Sequence, residues 1–133
     1  MEKIMNLKTV GYFKEMPHGR DTDETIFNYI GKGESSDIDN ICHFLDDGIV
    51  FIATPGIVED VINPDKGTAG IPNGCTDGTW LWPGDLSYYV KNYNLKLPDE
   101  FINTMRQADW KVPVTIDDLD CENFEIDGIN PFN

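Results

Sequence analysis

Between residues 79 and 108 the apolar residues change their period, and that change limits the folds open to the chain. Thr79, Trp80, Leu81 and Trp82 make a short β-compatible run. Pro83 stops it, because proline has no N–H to give to a sheet ladder. Leu86, Tyr89, Val90 and Tyr93 then follow the i, i+3, i+4, i+7 rule of one helix face, with Pro83 suited to the first turn. A second helix begins at Pro98, where Asp99 and Glu100 favour the positive end and Phe101, Ile102, Met105 and Ala108 face inward. A strand followed by a helical hairpin implies a layered structure of mixed class.

The remaining segments extend this pattern. Leu7, Val10, Tyr12 and Phe13 lie in a β-compatible stretch. Asp21 and Glu24 have the form of a capping box, and Ile26, Phe27 and Ile30 predict a short helix that Gly31 and Gly33 stop. Ser36 is a suitable N-cap for a helix with Ile38, Ile41, Cys42 and Leu45 on its inner face, ended by Gly48. Residues 49–53, IVFIA, are too short for a typical helix and predict a central strand between that helix and the 83–109 hairpin. Residues 63–78 are dense in Gly, Pro, Asn and Asp and predict a long loop. Residues 112–116 predict a last strand, before an irregular tail anchored by Phe124, Ile126 and Phe132. The expectation is one α+β domain over residues 1–133, a small mixed or antiparallel sheet packed with about four helices.

Charge narrows the function classes. With 24 acidic and 10 basic residues the net charge is −14, which disfavours nucleic acid and anionic membrane as partners. No run approaches the roughly 18 apolar residues of a membrane span, and the start, MEKIMNLKTV, lacks the apolar stretch of a secretory signal. Cys42, Cys75 and Cys121 are an odd number without CxxC spacing, which fits reduced thiols in a cytoplasmic protein. The acidity is clustered. Residues 15–47 carry nine acidic side chains against Arg20 and Lys32, a net −7, and residues 109–133 carry seven against Lys111, a net −6. On the helix after Ser36, Asp39, Asp46 and Asp47 must point away from the apolar stripe. They are the expected contacts for a basic protein partner, together with Asp117, Asp118 and Asp120 in the tail.

No catalytic constellation stands out. Cys42 and His43 are adjacent on a helix, so their side chains diverge by about 100 degrees and cannot pair. Two histidines and three scattered cysteines match no zinc spacing. Asp118, Asp120 and Glu122 alternate as in a calcium loop, but Asn123 stands at the sixth position and Ile129 at the twelfth, so no metal or other cofactor is expected. The glycines of residues 67–78 lack the Gly-Lys-Ser/Thr of a phosphate cradle.

The densest aromatic segment is DGTWLWPGDLSYYV followed by LPDEF. It reads first as a core clamp between strand and hairpin, and second as a contact surface, for which Tyr88, off the main stripe, is the candidate. This segment, residues 77–102, together with GIVFIATPGIVEDV, resembles the immunity proteins of polymorphic toxin and contact-dependent inhibition systems. The resemblance implies a cytosolic antidote that binds a cognate toxin domain and blocks its active site or substrate path. Partner-contacting residues vary in such families, so the matching segment carries over fold and no toxin-binding residue. The alternative is a small hydrolase or ligand-binding enzyme using the 63–78 loop and nearby carboxylates.

Overall fold

The computed structural model describes residues 5–33 and 35–130. Its strands are β1 (Met5–Thr9), β2 (Ile49–Ile52), β3 (Val58–Glu59), β4 (Thr68–Gly70), β5 (Gly74–Thr76), β6 (Trp80–Pro83) and β7 (Phe124–Ile126). Its α-helices are α1 (Ile38–Asp46), α2 (Leu86–Tyr93) and α3 (Asp99–Gln107). Five strands form a mixed sheet in the order β2-β5-β6-β1-β7, and β3 pairs with β4 separately. β5 is antiparallel to β2 and β6, whereas β1 is parallel to β6 and β7.

The α+β class is as expected, but the number of helices is not: three α-helices are described instead of about four. The missing one is the helix expected after Asp21, which is reduced to a 3-10 turn, Ile26–Asn28, capped by Thr25. The capping box does not form because its neighbourhood bonds otherwise. Asp23 Oδ2 accepts the Arg20 N–H at 2.7 Å, Glu24 accepts the Tyr29 hydroxyl, and Glu15 accepts the Ile26 N–H at 2.8 Å. Side-chain bonds of this kind offer the backbone an alternative to helix.

The centre of the sheet is β6, not residues 49–53. All four β6 residues are buried, whereas β2 lies at the sheet's end with Val50 49% and Ile52 41% exposed. An apolar run cannot by itself tell a strand buried on both faces from an edge strand that leaves apolar side chains in water. The register places Val50, Cys75 and Trp82 on one face, and Ile49, Thr76, Leu81 and Thr9 on the other. On the first face Trp82 packs against Phe44 of α1 and Phe101 of α3, at centroid separations of 5.8 and 5.4 Å, and Trp80 lies 5.1 Å from Phe101. The aromatic segment is therefore a core clamp, each fully buried ring contributing about 1.5–3 kcal/mol. On the second face Leu7, Leu81 and Phe124 are buried. Phe51 of β2 stands edge-on to Phe124 of β7 at 4.7 Å, which draws the two ends of the sheet together and curls it.

α1 is preceded by a 3-10 turn, Ser35–Asp37, so its N-cap is Asp37 and not Ser36. Its buried residues are Ile41, Phe44 and Leu45, with Ile38 and Cys42 half-buried. α2 begins after Asp85, and Pro83 remains in the strand. α2 packs principally on α1, and α3 also meets α1, so the expected 83–109 hairpin is held through a third helix. Residues 112–115 have no regular structure, and the last strand is β7, within the tail expected to be irregular. Phe132 lies outside the described residues. The 63–78 stretch is no open loop either: it holds a 3-10 turn (Pro64–Lys66), β4 and β5. Among the described residues, no helix is long and apolar enough to cross a membrane.

Candidate interaction surface

α1 turns Ile41, Phe44 and Leu45 into the core, which leaves Asp39, His43, Asp46 and Asp47 in solvent. Positions 39, 43 and 46 differ by four and seven residues and so share one stripe. Asp37, the N-cap residue of α1, pairs with Arg106 of α3 at 2.9 Å. Asp46 accepts the Ser87 hydroxyl at 2.6 Å while remaining exposed. The chain then passes directly into β2, whose backbone has no strand beside it on one side among the described residues. Val50 and Ile52 project into solvent there, and a register irregularity between them bends the strand. Carboxylates and exposed apolar edge thus form a continuous stretch of chain from Asp39 to Ile52.

The second acidic cluster has a different setting. Asp117 and Asp118 belong to a 3-10 helix, Ile116–Asp118, and Asp117, Asp118 and Asp120 are all exposed. Asp118 Oδ2 accepts the Thr115 N–H at 2.7 Å, and Asp120 Oδ1 accepts the N–H groups of Glu122 and Asn123 at 3.1 and 3.0 Å. Two of the three carboxylates are thereby bonded to their own backbone. Val114 and Leu119 approach Gly78 of the Asp77–Gly78 turn, so the segment packs by the β5–β6 connection.

Tyr88 is half-buried, and its hydroxyl donates to Asp60 Oδ2 at 2.7 Å. Asp60 is fully buried, and sequence reasoning passed over it. Its Oδ2 also accepts the Tyr93 hydroxyl at 2.6 Å, and its Oδ1 accepts the N–H groups of Ile62 and Asn63, each at 2.8 Å. Burial pushes the carboxyl up, but these hydrogen bonds outweigh it and hold Asp60 below the usual carboxylate range. Tyr89 accepts the Val61 N–H at 3.0 Å, and the Lys66 ammonium sits 4.6 Å from the centre of the Tyr93 ring. Three tyrosines of α2 and one aspartate therefore fasten the start of the 63–78 stretch to the helix. No local pattern announces this, since Asp60 and Tyr88 are 28 residues apart.

Chemically reactive groups are subdued. Burial pushes the thiols of Cys42 and Cys75 up to about 11, so both are protonated at neutral pH. Cys42 Sγ donates to the Ser87 carbonyl. Among the described residues no group of three or more His, Cys, Asp or Glu side chains is arranged to hold a metal ion. The most perturbed carboxyl among the described residues is Asp85, at the start of α2: it is fully buried, neither oxygen has a hydrogen-bond partner among those residues, and burial raises it to about 6. An Asp before an apolar helical stripe is legible as a cap, but its burial is not.

Comparison with known proteins adds no relative: no family model, no curated protein and no solved structure matches the chain.

Proposed function

We propose that this chain is a cytosolic immunity-type inhibitor that binds a basic toxin domain through the surface running from Asp39 to Ile52. The observation that carries the proposal is the junction of α1 and β2, where the exposed Asp46 and Asp47 lead straight into an edge strand with Val50 and Ile52 in water. A net charge of −14 attracts a basic surface at long range, which raises the rate of encounter. The apolar edge then offers short-range burial and a backbone able to accept a partner strand. The protonated thiols and the self-bonded carboxylates favour binding over catalysis as the use of this fold.

The test is co-purification with the product of the gene immediately upstream, followed by association kinetics at two salt concentrations. The Asp39→Asn/Asp46→Asn/Asp47→Asn variant is expected to associate roughly tenfold more slowly with a flatter salt dependence, and to keep the fold. The corresponding triple change at Asp117, Asp118 and Asp120 should have the smaller effect, because two of those carboxylates already serve local amides. Val50→Lys/Ile52→Lys should speed dissociation. Absence of any stable complex, or triple variants that bind as fast as the parent with an unchanged salt slope, would refute the proposal.

A further inference from the structure

A cavity of about 600 Å3 opens between residues 9–13, the segment from His18 to Glu24, Tyr29, Trp80 and residues 96–98. It shares no residue with the α1–β2 surface or with the 63–78 stretch. Its volume falls within the roughly 300–1,000 Å3 of small-molecule sites. Tyr12, Phe13, Tyr29 and Trp80 give it aromatic walls, with the Phe13 and Tyr29 rings 5.6 Å apart.

The walls are held in place. Lys14 N–H donates to the Glu24 carbonyl at 3.0 Å, and Lys96 N–H donates to the Tyr29 carbonyl at 2.9 Å. Gly19 lies so close to Phe13 that a Cβ would stand 1.9 Å from the Phe13 carbonyl oxygen. These bonds close the loop around the cavity from both sides, so the site is formed before anything enters it.

The polar groups in the lining divide by what they already do. Asp23 accepts the Arg20 N–H and pairs with its guanidinium at 3.9 Å, and Glu24 accepts the Tyr29 hydroxyl. The Tyr12 hydroxyl and the His18 ring lie within electrostatic reach of the buried Asp85 carboxyl. The Lys96 ammonium has no hydrogen bond or ion pair among the described residues. The uncommitted cation of this cavity is thus Lys96. We propose that the cavity binds a small planar aromatic anion, its ring between the aromatic walls and its anionic group on Lys96. Ring stacking supplies contact area, and the exposed Lys96 ammonium fixes the orientation.

Two probes share one fused aromatic ring system and carry opposite charge: naphthoate and naphthylmethylamine. Isothermal titration of the full chain should give saturable binding of naphthoate to one site, about tenfold or more tighter than the amine, a factor worth ~1.4 kcal/mol. Lys96→Glu should remove that preference. Thr22→Trp, at an exposed position in the lining, should block both probes. Circular dichroism checks that each variant is folded, and since Thr22 and Lys96 are both exposed, one variant serves if the other is lost. No saturable naphthoate binding, binding untouched by Thr22→Trp, or an amine that binds as tightly as the acid overturns the proposal.

Discussion

Asp85→Asn removes a charge from a side chain that is 0% exposed and whose two oxygens have no hydrogen-bond partner among the described residues. Burial is the main cause of its raised carboxyl, at about 6, and nearby His18 offsets only part of it. In an unfolded chain an aspartate titrates near ~3.9. A gap of about two units at ~1.36 kcal/mol each amounts to about 3 kcal/mol. The sign follows from the direction. A carboxyl raised by folding is penalised when ionised, so the cost is absent below about pH 4, grows between about 4 and 6, and is complete above that. Asp85→Asn is therefore expected to gain about 3 kcal/mol on the parent between about pH 4 and neutral pH. Urea denaturation followed by far-ultraviolet circular dichroism, repeated across about pH 4 to 8, measures this difference directly. A difference that does not change with pH would refute the reasoning.

Asp60→Ala strips four hydrogen bonds from a fully buried acceptor and leaves two backbone donors and two tyrosine hydroxyls unpaired. It should lose about 3–5 kcal/mol in the same denaturation assay, with Asp60→Asn losing less because one acceptor oxygen remains. Because folding lowers the Asp60 carboxyl, its contribution is full above about pH 4 and disappears as pH falls through the folded value. The Asp60→Asn variant should lack that acid-side decline. Gly48→Ala would place a Cβ 2.4 Å from Trp82 Cζ2, in rigid core, and should cost about 1–3 kcal/mol by thermal unfolding; an unchanged midpoint would mean the Trp82 ring has room to move.

What the sequence determined by itself was local. The stripes Leu86/Tyr89/Val90 and Phe101/Ile102/Met105 became the buried faces of α2 and α3, and the 79–82 run became β6, because periodic burial is written into residue spacing. The outward placement of Asp39, Asp46 and Asp47 was equally legible, since an apolar stripe on one face of a helix leaves the rest in water. The tertiary structure decided everything that depends on which segments meet. It put β6 rather than β2 at the centre, since strand order is a matter of long-range pairing and not of hydrophobicity. It replaced the helix after Asp21 with a turn because Glu15 and Tyr29, distant from the box, took the bonds a helix would need. It made β7 from a tail without strand pattern by laying Phe124 beside Met5 and against Phe51. Asp60, bound by tyrosines 28 and 33 residues away, and Asp85, buried with no partner, are the sharpest cases. Their chemistry is set by solvent exclusion and by neighbours remote in sequence, and neither quantity exists until the chain has folded.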